Sequence, residues 1–212
     1  MSELFGNMAE SLIAGKVDEV VDLTKEAVDG DLSPQDILEQ GLLAGMDVVG
    51  KRFKANEMFI PEVLRCAKCM HGSMEILRPL LVETGVKTAG TLVLGTVKGD
   101  LHDIGKNLVG MMFEGAGFQV VDLGIDQEPQ AFVDGLKAHK ASLFGMSALL
   151  TTTMPKMGET INAINEAGIR DQVKIMVGGA PVTEDFAKEI GADGYASNAA
   201  SAVDKGKELL GM

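Results

Sequence analysis

From Thr91 onward the chain alternates short apolar runs with stretches of helical spacing, and this alternation restricts the fold more than any other feature. The runs at 91–97, 118–123, 141–147 and 173–178 have the length and character of buried strands, and a shorter run lies at 193–197. Helical stretches fall at 103–116, 128–138, 152–167, 182–190 and from about 199 to 210. Strands separated in this way by helices pair in parallel, which predicts an α/β domain with a five-stranded parallel sheet covered on both faces. Five strands in this length favour the flavodoxin-like order 2-1-3-4-5.

The earlier part of the chain has a different period. Residues 3–14, 16–29, 35–54 and Ile60 to about Val82 carry apolar side chains at helical spacing. Ser33-Pro34 is a helix start, with serine as N-cap and proline in the first turn. Ala55-Asn56-Glu57 interrupts the pattern between Phe53 and Ile60. Four helices with short connections predict a bundle. The expected organisation is therefore two domains, a helical bundle over 1–87 and an α/β domain over 88–212, with Gly85–Gly90 between them.

Within the α/β part, Lys98-Gly-Asp100-Leu-His102-Asp103-Ile104-Gly105-Lys106 separates the first strand from its helix. In an open parallel sheet such loops lie at the carboxyl edge of the strands, where ligands bind. A histidine two residues from a carboxylate can offer one ring nitrogen to a metal while the carboxylate holds the other. In the expected strand order the loop after strand 3, beginning Ser147-Ala-Leu149, and Gly178-Gly179 at the end of strand 4 converge on the same edge.

These three spaced motifs, Asp100-x-His102-x-x-Gly105, Ser147-x-Leu149 and Gly178-Gly179, resemble those of the corrinoid domain of methionine synthase and of the small corrinoid proteins of anaerobic methyltransferase systems. The resemblance implies a Rossmann-like domain that binds cobalamin or a related corrinoid, with His102 replacing the benzimidazole as lower axial ligand to cobalt. It implies cofactor contacts from Asp100, His102, Asp103, Ile104 and Gly105, from Ser147, Leu149, Thr151 and Thr153, and from Gly178 and Gly179. Asp100 would support the imidazole, and Thr153 stands where the family's relay hydroxyl falls. Ser147 would hydrogen-bond the displaced benzimidazole, and the glycines, Gly145 among them, would leave room for the nucleotide tail. Phe53-x6-Ile60-Pro61 is similar to the segment that covers the upper corrin face in methionine synthase, so Phe53, Ile60 and Val63 are expected there and the helical domain is expected to act as a cap.

The function this implies is methyl carriage on cobalt, with methylcobalamin as the loaded state. A substrate-specific methyltransferase would load the carrier, a second methyltransferase with a thiol or pterin acceptor would unload it, and a reductive activase would rescue oxidised cobalt. The chain has no room for the about 250 residues of a barrel that could bind a methyl donor, so it is expected to be a subunit without catalysis of its own. Two alternatives use similar motifs, the cobalamin-binding subunit of an adenosylcobalamin mutase and a cobalamin-sensing regulator.

Net charge of −12 argues against a nucleic-acid or anionic-membrane surface. The polar start, two cysteines and lack of a long apolar run point to the cytoplasm. Cys66-x-x-Cys69 with His71 is read as helix interior, because zinc needs four suitable ligands and no second pair exists. His139 follows a helix whose C-terminal dipole accounts for it. A phosphate loop would need glycine at Asp100 and a hydroxyl at Asn107. No Gly-x-Gly-x-x-Gly follows the first strand, and a receiver domain would need aspartate where Ser147 stands.

Overall fold

The computed structural model describes residues 2–84 and 88–212, so Gly85, the near end of the expected boundary, lies outside the described residues. The chain separates into two compact units, one comprising Met1–Ala89 with Glu114–Gly117, the other Gly90–Phe113 with Phe118–Met212.

The first unit is built from α1 (Ser2–Ile13), α2 (Val17–Asp29), a long helical segment and α5 (Ile60–Glu83). The long segment comprises α3 (Pro34–Asp36), a π-helical stretch (Ile37–Leu43) and α4 (Ala44–Lys54). Ser33 caps it, its hydroxyl accepting the Asp36 N–H. The π stretch packs closely on α1: a Cβ on Gly41 would stand 2.5 Å from Met8 Sδ. Met8, Leu12, Val20, Ala27, Ile37, Leu42, Val49 and Leu77 are fully buried. Thr24 donates to Ser73 at 2.9 Å, joining α2 to α5 through a buried hydroxyl pair.

The second unit is a parallel sheet in the order β2-β1-β3-β4-β5. Its strands are β1 (Thr91–Thr96), β2 (Gln119–Asp122), β3 (Leu143–Ser147), β4 (Lys174–Gly178) and β5 (Gly194–Tyr195). The helices are α6 (Ile104–Glu114), α7 (Pro129–His139), α8 (Pro155–Glu166), α9 (Glu184–Glu189) and α10 (Ala199–Leu209). The expected strand order is the observed one, although the last strand shrinks to two residues. β1 and β3 are neighbours that run on to opposite sides of the sheet, so the carboxyl edge between them is the topological switch point. Register fixes what meets there: Thr96 lies beside Ser147, and Ser147 beside Gly178.

At Gly145 strand packing already supplies a reason for glycine, because a Cβ there would stand 2.8 Å from Leu94 Cδ1. The stretch expected to be helical from 152 becomes helix only at Pro155, for a reason that belongs to the site. Among the described residues no helix is long and apolar enough to cross a membrane.

Candidate functional site

The site is built around the wholly buried carboxylate of Asp100. Oδ1 accepts from the His102 ring at Nδ1 (2.7 Å) and from the His102 backbone N–H (3.1 Å). Oδ2 accepts from the N–H of Leu149 (2.7 Å), the N–H of Leu150 (3.3 Å) and the Thr153 hydroxyl (2.7 Å). This explains the late start of α8. The chain leaving β3 turns its first amides toward Asp100, and the turn then closes by Thr153 N–H donating to the Leu150 carbonyl at 3.0 Å. Thr153, Asp100 and His102 thus form one hydrogen-bonded chain, and Thr153 lies in the turn before α8.

Burial alone would raise the Asp100 pKa. Donors from Leu149, Thr153 and His102 outweigh it and hold the carboxyl well below the usual carboxylate range. An ionised carboxylate can only accept, so His102 Nδ1 must carry the proton. In the neutral imidazole that leaves the Nε2 lone pair free. The His102 side chain is 51% exposed, so this nitrogen is offered outward by a ring fixed from within.

Further bonds hold the loop carrying His102. Thr96 Oγ1 donates to the His102 carbonyl at 2.9 Å. Asp126, in the loop after β2, accepts the Gly99 N–H at 2.8 Å, and its own N–H donates to the Asp100 carbonyl at 3.1 Å. Lys98 pairs with Asp126 and Glu128. The loops after β1, β2 and β3 are thus tied together around Asp100.

Around His102 these loops carry exposed apolar side chains. Ile104 is 75% exposed, and Leu101, Ile125, Leu149 and Leu150 also face solvent. Leu101, Ile125 and Leu150 were not anticipated from sequence, because apolar residues in strand-to-helix loops carry no periodicity to mark them as exposed. A Cβ on Gly105 would meet nothing within 4 Å, so the start of α6 is open. Asp103 lies just before α6, where its side chain accepts from Asn107 Nδ2 at 3.1 Å. Thr151 is exposed on the third loop. Gly178 and Gly179 end β4 beside Ser147. Gly179 has an internal reason to be glycine: at φ +133 a Cβ would fall 1.8 Å from the Ala148 carbonyl oxygen.

The residues expected from the helical part divide differently. Ile60 is exposed and Phe53 half-buried, but Val63 is fully buried and belongs to the core. Phe59, not foreseen, is 65% exposed beside Ile60. Cys66 and Cys69 are buried in α5, and burial pushes the Cys69 thiol up to about 11, where it is unreactive.

The donor set fits a corrinoid. Among the described residues no group of three metal-binding side chains exists, so a metal at His102 must arrive with its other ligands in place. A macrocycle does that, and its broad apolar body suits the surrounding leucines and isoleucines.

Two family profiles, both described as B12 binding domain, match residues 90–204 and 4–78. The chain is 44% identical to dimethylamine corrinoid protein 1 of Methanosarcina acetivorans, over 98% of each protein. Among solved structures it is similar to a cobalamin-binding protein of Desulfitobacterium hafniense (TM-score 0.77, 31% identity, 97% of this chain and 98% of that one). It is also similar to a chain of the methanol:cobalamin methyltransferase complex MtaBC of Methanosarcina barkeri (TM-score 0.87, 30% identity, 99% of this chain and 81% of that one).

Proposed function

The chain belongs to the B12-binding corrinoid proteins, and from that premise we propose that it carries a methyl group between two methyltransferases, with His102 as the cobalt's lower ligand. The observation that carries the site assignment is the buried, ionised Asp100 locking Nδ1–H of an imidazole whose Nε2 faces outward. When bound, the corrinoid supplies a cobalt centre able to accept and release a methyl group. The protein's part is to hold and tune it. Asp100 keeps the ligand tautomer and the orientation of the His102 ring. Thr153 and the Leu149 and Leu150 amides keep Asp100 ionised and in place. Leu101, Ile104, Ile125, Leu149 and Leu150 provide the apolar bed beside the imidazole.

Ser147, whose hydroxyl makes no hydrogen bond among the described residues, is placed to accept or donate to the nucleotide tail at the strand ends. Relatives named for dimethylamine and a structural counterpart named for methanol make small methylated amines or alcohols the donor class we favour, delivered by a separate methyltransferase. A thiol or a pterin is the acceptor class, and a reductive activase would return oxidised cobalt to service. The test is stepwise. Holo-protein mixed with a methylamine or methanol should stay unmethylated, become methylated when a cognate methyltransferase is added, and lose the methyl group when a thiol-dependent or pterin-dependent methyltransferase follows. Rapid demethylation of the donor by this chain alone would contradict the carrier reading.

The helical unit is proposed to shelter the bound methyl group through Phe53 and Ile60. A methyl radical released by light recombines more often when apolar side chains confine it. Phe53→Ala should therefore speed anaerobic photolysis of bound methylcobalamin with little change in cobalamin affinity. An unchanged photolysis rate would leave Phe53 as bundle packing only.

A further inference from the structure

Lys106 is the one lysine in the His102 segment that turns inward. It lies in the first turn of α6, yet its side chain is only 2% exposed, while Gly105 before it is exposed. A lysine on a helix surface would ordinarily leave its ammonium in water, so a buried one requires partners. Lys106 Nζ donates to the Asn107 side-chain oxygen at 2.7 Å and pairs with Asp122 Oδ2.

Both partners lead back to the ligand loop. Asn107 Nδ2 donates to Asp103 Oδ2, and Asp103 adjoins His102. Asp122 ends β2, and its other oxygen accepts the Gly124 N–H at 2.8 Å. The Gly124 carbonyl accepts the Thr96 N–H at 2.9 Å, and Thr96 Oγ1 donates to the His102 carbonyl. Two residues after Gly124 comes Asp126, which accepts from Gly99 and donates to Asp100. The buried cation therefore joins the two sides that flank His102: the start of α6 on one, and the loop after β2 on the other.

We propose that Lys106 is a positioning residue for the lower ligand: through Asn107 and Asp122 it fixes the loop after β2 against α6 and so holds His102 in its ligating pose. The proposal rests on the reading of His102 as cobalt ligand. Asp100 sets the tautomer and the ring rotation, whereas Lys106 sets the position of the backbone from which the ring projects. Replacing Lys106 alone would leave Asp122 without its cation, so the informative variant removes both charges. In Lys106→Met with Asp122→Asn, methionine keeps the aliphatic stem, and asparagine keeps an oxygen for the Gly124 N–H.

Parent and variant are loaded with cob(II)alamin, with and without nitrogen-15 histidine, and followed by electron paramagnetic resonance and by cobalamin titration. The parent should show histidine superhyperfine lines that change with the label. The double variant, still melting cooperatively, should show a mixed population with histidine lines reduced, and about tenfold weaker cobalamin binding. A role confined to packing would lower the melting temperature and leave the spectrum of the saturated protein unchanged. If the double variant does not fold, Asn107→Ala breaks only the arm toward Asp103 at a half-buried position and should reduce the same lines. Full histidine ligation at parental affinity in the folded variants overturns the proposal while leaving His102 as ligand. A parent spectrum insensitive to the label overturns both.

Discussion

Asp100→Asn should abolish histidine ligation with the histidine still in place. Asparagine must turn an NH2 group toward one end of the old carboxylate. Placed at Oδ2, it would orphan the Leu149 and Leu150 amides, which now donate there. Placed at Oδ1, it orphans only the His102 backbone N–H, because the ring can switch tautomer and accept at Nδ1. The second arrangement is favoured by one buried hydrogen bond, and an unsatisfied amide costs about 1–3 kcal/mol. The switch moves the ring proton to Nε2, the atom required for cobalt. The expected results are loss of the histidine signature in the cob(II)alamin spectrum, cobalamin binding weaker by about 10- to 100-fold, and a stability loss of about 1–3 kcal/mol in urea unfolding. Parental ligation in this variant would show that the tautomer argument is wrong.

Gly179→Ala should have the largest effect on folding. The substituted residue would have to keep φ +133 with its Cβ 1.8 Å from the Ala148 carbonyl oxygen, and backbone on both sides leaves no flexible side chain to yield. Strain and overpacking of this kind cost about 2–4 kcal/mol. Relief would come from shifting the chain after β3, which carries the Leu149 and Leu150 amides and Thr153. Cobalamin affinity should therefore fall together with stability. Gly178→Ala is the control: its Cβ would meet only the Ala196 carbonyl oxygen at 3.3 Å, a contact that a small shift relieves. It should cost about 1 kcal/mol or less. Equal unfolding curves for the two variants would contradict this account of the β4 end.

The sheet was legible because two periods alternate so regularly in the chain, and the order of the strands follows from right-handed crossovers and a single switch point. The π stretch was not legible. Its apolar spacing suits an α-helix equally, and nothing in the sequence marks the π geometry of Ile37–Leu43. Asp100 and His102 could be found from sequence because both lie in one short loop. Thr153 was ambiguous between helix start and relay, since its place depends on amides drawn 49 and 50 residues back to Asp100. Nothing in the sequence marks Lys106 as buried, since its partner Asp122 lies 16 residues on. Val63 and Phe59 show the limit of reading contacts from one helical face. Four residues apart, they emerge as core and surface: Val63 lies on the buried face of α5, whereas Phe59 precedes the helix and stays 65% exposed.

The central claim, that His102 presents Nε2 to cobalt, is tested most directly by electron paramagnetic resonance of the cob(II)alamin-loaded protein prepared with nitrogen-14 and with nitrogen-15 histidine. Of the other histidines, His71 lies in α5 of the helical unit, and His139 ends α7, the helix that leads back into the amino end of β3. The account predicts superhyperfine triplets that become doublets on labelling and vanish in His102→Ala. A spectrum that keeps its triplets in the labelled protein would mean that the cofactor's own base remains on cobalt, and would contradict it.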